Sequence, residues 1–198
     1  LTSDSPDFVG AWQVYSGALW ASSSYALGAH NAGAVYLNTQ GGPPGSQALW
    51  LSGDIGITGK LAVTSGRGFT NITSAIPNAG DFTNTVALGP GVIRSISGTN
   101  VWAGHVEMAG GAGSSGFAAD AGAGLIIHGT VYPSMSDRVL YLDGAGVGIL
   151  RGVISNGANP SLPIYKEGTG MWTIAATNQA SGNTTIASGT LRIGEGGT

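Results

Sequence analysis

Three histidines and ten carboxylates are the chain's whole stock of imidazole and acidic groups across 198 residues, and cysteine is absent. His30, His105 and His128 form no H-E-x-x-H or other short ligand pair. His105 and Glu107 stand two apart, so on a strand they share one side. A solvated polar face is the plain reading of that pair, and half of a metal site is the sharper one. Polysaccharide-cleaving sites gather several carboxylates, or carboxylates with calcium and a basic residue. Here the nearest approaches are Asp137 with Arg138 and Asp143 with Arg151, and only stacking of distant segments would add to them. The nucleophile elbow G-x-S-x-G and the calcium nonapeptide G-G-x-G-x-D are both missing. A formal G-x-G-x-x-G falls at Gly111, Gly113 and Gly116, but "FAADAGAG" after it supplies no helix to meet a pyrophosphate. "DIGITGKL" fails as a phosphate loop, because Asp54 replaces the first glycine and Leu61 replaces the hydroxyl that holds magnesium. The sequence therefore predicts no catalytic, cofactor-binding or metal-binding residue. Two sequons, at Asn71 and Asn183, match the N-glycosylation acceptor pattern, which arises often by chance.

The composition narrows the architecture that would position any site. Glycine contributes 36 residues and charged side chains only 9%, with a net charge of -3. Ordinary soluble domains carry about 25% charged residues. A nucleic-acid binder needs a basic face, which this balance excludes. With 42% apolar residues the chain is no solvated, highly charged tail. No apolar run reaches the length of about 18 residues needed to cross a bilayer as a helix, so no membrane insertion is expected within this segment.

Helix signals are nearly absent, since glycine interrupts almost every window. Short alternating runs replace them: "AVYLN", "LWLSG", "KLAVTSG", "RSISG", "LIIHG", "LYLDG" and "GILRGVISNG" read as strands closed by Gly or Asn-Gly turns. One phrase recurs. Glycines seven apart bound a short strand at Gly10/Gly17, Gly104/Gly111 and Gly182/Gly189. In each copy the second and fourth residues after the first glycine share one side: Trp12 and Val14, Val106 and Met108, Thr184 and Ile186. That side is mostly apolar and is expected to face inward, with Leu49, Leu51, Trp172, Ile174 and Leu191. The other side, including Gln13, His105, Glu107 and Asn183, is expected to face water. A repeated glycine-bounded unit favours an all-β solenoid over a sandwich. At about 20–25 residues per coil the chain makes roughly eight or nine coils.

The same alternation turns Trp20, Tyr36 and Trp50 outward as candidate outer-face contacts. A row of exposed aromatic rings on successive coils stacks on sugar rings or packs on another protein. A long loop, such as 67–84, would instead cover them.

The segment "YKEGTGMWTIAATNQASGNTTIASGTLRIG" (165–194) resembles the autotransporter-associated β-strand repeat. Lys166, Gly168, Gly170, Trp172, Ile174, Asn178, Gly182, Thr184, Ile186, Gly189, Thr190 and Leu191 fit its pattern position by position. "FVGAWQVYSGALWASSSYALG" (8–28) is similar to the second half of another copy, and "VIRSISGTNVWAGHVEM" (92–108) to a related coil. The resemblance implies a right-handed parallel β-helix, exported to a bacterial cell surface or beyond it. It implies no particular activity. The expected function is a structural or adhesive segment, capable of forming fibres. The alternative is a carbohydrate-active β-helix enzyme or a carbohydrate-binding module. Residues 1–198 are expected to form one β-helical segment of a longer repetitive chain, with each end covered by further coils or by further copies stacked end to end. Carbohydrate or a host cell-surface protein is the expected outside partner.

Overall fold

Glycine-closed runs this short cannot build long strands, and none forms. The computed structural model describes residues 4–37, 47–69, 75–78, 81–87, 90–109 and 114–195. Among them there is no helix; twenty short strands carry the fold. Sheet 1 contains β1 (Trp12–Val14), β3 (Ala34–Leu37), β6 (Leu61–Thr64), β11 (Val106–Met108) and β14 (Val131–Pro133). Sheet 2 contains β2 (Gly17–Ala21), β4 (Gln47–Ser52), β9 (Ile93–Ser97), β12 (Ser114–Ala119), β15 (Val139–Gly144), β17 (Ile164–Lys166) and β19 (Thr184–Ile186). Sheet 3 contains β5 (Gly56–Ile57), β10 (Thr99–Trp102), β13 (Gly124–Ile127), β16 (Val147–Leu150), β18 (Met171–Ile174) and β20 (Thr190–Ile193). Every pairing within these sheets is parallel. The chain passes from sheet 1 to sheet 2 to sheet 3 and begins again, which is a parallel β-helix, as expected.

The seven strands of sheet 2 mark seven coils among the described residues, fewer than the repeat length suggested. Part of the difference is spent on an insertion. Between β6 and β9 the chain leaves coil three and forms an antiparallel hairpin, β7 (Ala75–Asn78) with β8 (Asp81–Ala87). In the last two coils sheet 1 thins to single bridges, Val131 to Ile154 and Ile154 to Asn178.

Alternation within strands and register between them stack like positions into columns. Leu19, Leu49, Ile93, Phe117, Leu142, Lys166 and Ile186 form one inner column of sheet 2. Trp102, Ile127, Leu150, Ile174 and Ile193 form one of sheet 3. Leu49, Leu51, Val106, Met108, Trp172 and Ile174 are buried as expected, and the half-buried Trp12, Val14 and Leu191 pack against the same core. A fully buried aliphatic side chain contributes about 1.5–3 kcal/mol, so the columns are the main stabilising feature. Trp172 needs extra room. A Cβ on Gly148, its register partner, would lie 2.2 Å from the indole, so glycine is required there. The indole N–H then donates to the Asp143 carbonyl at 2.9 Å.

Two expectations need correction. Ile186 lies in an inner column but is 54% exposed, and Ile193 is 73% exposed, because no described coil stacks on β19 and β20. Inward direction is therefore not the same as burial in the last coil. The recurring glycine phrase also does not mark one place in the coil. Trp12–Val14 and Val106–Met108 lie in sheet 1, whereas Thr184–Ile186 lies in sheet 2. A three-residue strand between glycines is the local requirement at more than one corner of the helix, so the phrase encodes a corner and not a sheet.

Candidate functional site

The outer face of sheet 2 brings together several aromatic and charged groups. Strand residues between the inner positions point outward and stack in two columns. One runs Trp20, Trp50, Arg94, Ala118 and Asp143; the other ends in Gly116, Tyr141, Tyr165 and Thr185.

Trp20 and Trp50 do neighbour each other on successive coils, with ring centroids 6.2 Å apart. Trp50 is not a surface contact, however: it is 1% exposed and packs edge-on against Phe69 of the insertion at 6.0 Å. With Ala18, Ala48 and Ile96 these rings form a second, smaller apolar cluster. Trp20 is half-buried, its indole N–H donating to Ser52 Oγ at 2.7 Å. Tyr36 is also half-buried but lies on sheet 1, so the three rings make no single row. The Arg94 guanidinium sits 5.7 Å from the Trp50 ring and grips Asp120 through both carboxylate oxygens, at 2.7 and 2.8 Å.

Two coils further on, the same face holds a different group. Tyr141 and Tyr165 are register partners with ring centroids 5.7 Å apart. Asp143 and Glu167 each follow two residues after one of these tyrosines. Arg67, at the root of the insertion, crosses coil four where Gly116 leaves space and reaches this pair. Its guanidinium pairs with Glu167, stands 3.6 Å from Asp143, and lies 3.7 Å above the Tyr141 ring. The two tyrosines and two acids were missed as a group in the sequence. The signal was present: "LYLDG" and "IYKEG" are the same apolar-Tyr-x-acid-Gly phrase, one coil apart. An open groove of about 460 Å³ lies over the tyrosines, lined also by Pro163, Ser181, Asn183 and Thr185.

Lys166 points the other way. Its side chain is fully buried in the inner column, and its ammonium donates to the carbonyls of Glu167, Gly168 (2.8 Å) and Ser188 (3.2 Å). It thus ties the corner between sheets 2 and 3 in the last two coils. Gly168 and Gly189 occupy that corner with φ of 67° and 69°, where a Cβ would strike the carbonyl oxygens of Gly144 and Gly170. The Lys-x-Gly-x-Gly phrase is therefore a corner device. Burial pushes the Lys166 ammonium below its ordinary value, against the opposing pull of Asp143 and Glu167. Lys60 is similarly buried at the corner between sheets 3 and 1, donates to the Ala32 carbonyl, and is pushed down by burial.

The remaining candidates are dispersed. His105, immediately before β11, is exposed, its Nδ1 accepting the Thr130 N–H at 3.1 Å. Glu107 faces Tyr132 across the register, whose phenol is pushed up by burial first and Glu107 second. Arg151 pairs with Glu195 at 2.8 Å, not with Asp143. Asp137 and the buried Arg138 lie at a corner tied by Asn159. Among the described residues no three His, Asp or Glu side chains converge. Gly111, Gly113 and the sequon at Asn71 lie outside the described residues; Asn183 is exposed.

No curated protein and no solved structure matches the chain. One family model does, the passenger-associated-transport-repeat, over residues 164–193. That span begins at β17 and ends at β20, two strands of sheet 2 and two of sheet 3, so it covers more than one full turn and reaches well into the next. The match bears out the resemblance read from the same stretch and points to an autotransporter passenger-type segment.

Proposed function

We propose that this chain is a rigid, adhesive stretch of an exported bacterial passenger protein, displayed at or beyond the cell surface. The observation that carries the reading is the coincidence of the matched repeat, 164–193, with a coil of a continuous parallel β-helix. A β-helix of this kind separates its tasks. The inner columns supply stiffness, and the outer faces are free to vary. Copies stacked head to tail on β20 would make a heterologous contact that need not close, and so a filament. An enzymatic role finds less support, since Asp143 and Glu167 share Arg67 and no third acid joins them among the described residues.

Antibodies against the chain, applied to intact source cells, should label them, and external protease should remove the label. Labelling that required permeabilisation would overturn the reading.

A further inference from the structure

We infer that the groove over Tyr141 and Tyr165 is a binding site for an uncharged oligosaccharide, held across the outer face of the last three coils. Such a site gives the adhesive part of the proposed function a ligand class and rests on that reading. The groove, about 460 Å³, is within the size range of small-molecule sites. It continues past Val139, Ser161 and Pro163 into a second hollow of about 390 Å³ against Asn159. The site is thus elongated, as an extended chain ligand requires.

Its chemistry narrows the ligand. Two half-buried phenol rings on adjacent coils, 5.7 Å apart and inclined at 39°, line the groove, with one face of Tyr141 taken by Arg67. Such rings cover the apolar faces of sugars while their hydroxyls stay available for hydrogen bonds. The Arg67 guanidinium, 3.7 Å from the Tyr141 ring, holds that ring in place before any ligand arrives. Around the rings stand hydroxyls of Ser181 and Thr185 and the exposed amide of Asn183, groups that both donate and accept. Among the described residues no charged side chain lines the hollow over the tyrosines, and Asp137 and Arg138 line the second hollow with one charge of each sign, so the elongated site offers no net counter-charge to an anion or a cation. β15 and β17 beneath the rings are paired on both sides in sheet 2, so a peptide has only the outer edge of β19, at one margin of the groove, to join.

The test uses the purified chain and neutral hexasaccharides of glucose, xylose, mannose and N-acetylglucosamine in their common linkages, with oligogalacturonate as the charged comparison. Calorimetry should detect a neutral ligand, and saturation transfer should mark Tyr165 ring contact. Tyr165→Ala should weaken binding at least tenfold and Asn183→Ala severalfold. Tyr165→Phe, which keeps the ring, should bind nearly as well, so a folding failure of the alanine variant leaves the test intact. Tyr36→Ala, on another sheet, should change nothing. Absence of binding across the neutral panel, tighter binding of oligogalacturonate, or binding indifferent to both Tyr165→Ala and Asn183→Ala would overturn the inference. Surface labelling is measured separately, so loss of the ligand with labelling intact removes the site and keeps the export reading.

Discussion

At Lys166 a charged side chain stands where the coil before it has Leu142 and the coil after it has Ile186. The position tolerates the charge because three backbone carbonyls surround the ammonium, which replaces much of the water it lost. Lys166→Met keeps the stem and removes the donors, and should cost about 1–2 kcal/mol at pH 7 by chemical denaturation. The pH dependence has a definite sign. Burial sets the folded ammonium below its ordinary value, so above that lowered value the unfolded chain holds more protons than the folded one. Stability from this site therefore rises with pH until about 10.5 and is level beyond. The gap between the natural chain and Lys166→Met should widen from neutral pH toward 10. A gap that narrowed would contradict the direction given to this lysine. Tyr132, pushed the opposite way, is present in both chains and cancels from the difference.

At the scale of elements, the insertion between β6 and β9 covers Trp50 through Phe69, the alternative that the sequence offered with a loop at 67–84. Strand alternation made Leu49, Leu51, Val106 and Met108 legible as core and turned Trp50 outward correctly, because both follow from a period of two. What lies on an outward ring depends on where a distant loop returns, and no local pattern records that. The Tyr141–Tyr165 pair was hidden for a related reason: it depends on a coil length, which only comparison of "LYLDG" with "IYKEG" discloses. The glycine phrase misled in the opposite sense, since one local device serves corners in different sheets. If Phe69 is the cover, Phe69→Ala should expose Trp50 and leave the coil stack standing. Tryptophan emission should shift to the red with a stability loss of about 3–5 kcal/mol, the usual range for a buried phenylalanine. An unchanged spectrum with that same loss would mean the insertion stabilises the fold without shielding the indole.

For the whole molecule, stability is a property of neighbours. Each coil buries its inner residues only against the coils above and below, so a linear stack is held by nearest-neighbour terms. Ile186 has a coil on one side only among the described residues: its side chain points along the core column and is still 54% exposed. In the chain as it stands, Ile186→Asp should therefore cost little, about 0.5 kcal/mol or less, the usual range for surface changes. Leu142→Asp, in the same column but fully buried, should cost several kcal/mol, because it leaves an unpaired carboxylate in an apolar stack. The environment at Ile186 can then be changed without touching it. A second copy of residues 175–193 spliced directly after Ile193 repeats the step from Ile174 to Ala175, so the new strands fall in register on β19 and β20. The added coil should slow amide exchange in β19 and β20 to the level of β15 and β16, and it should bury Ile186. In that longer chain Ile186→Asp becomes a core lesion, with a cost near that of Leu142→Asp. If the penalty at Ile186 stayed small after the splice, the columns would not be the interaction that stacks these coils.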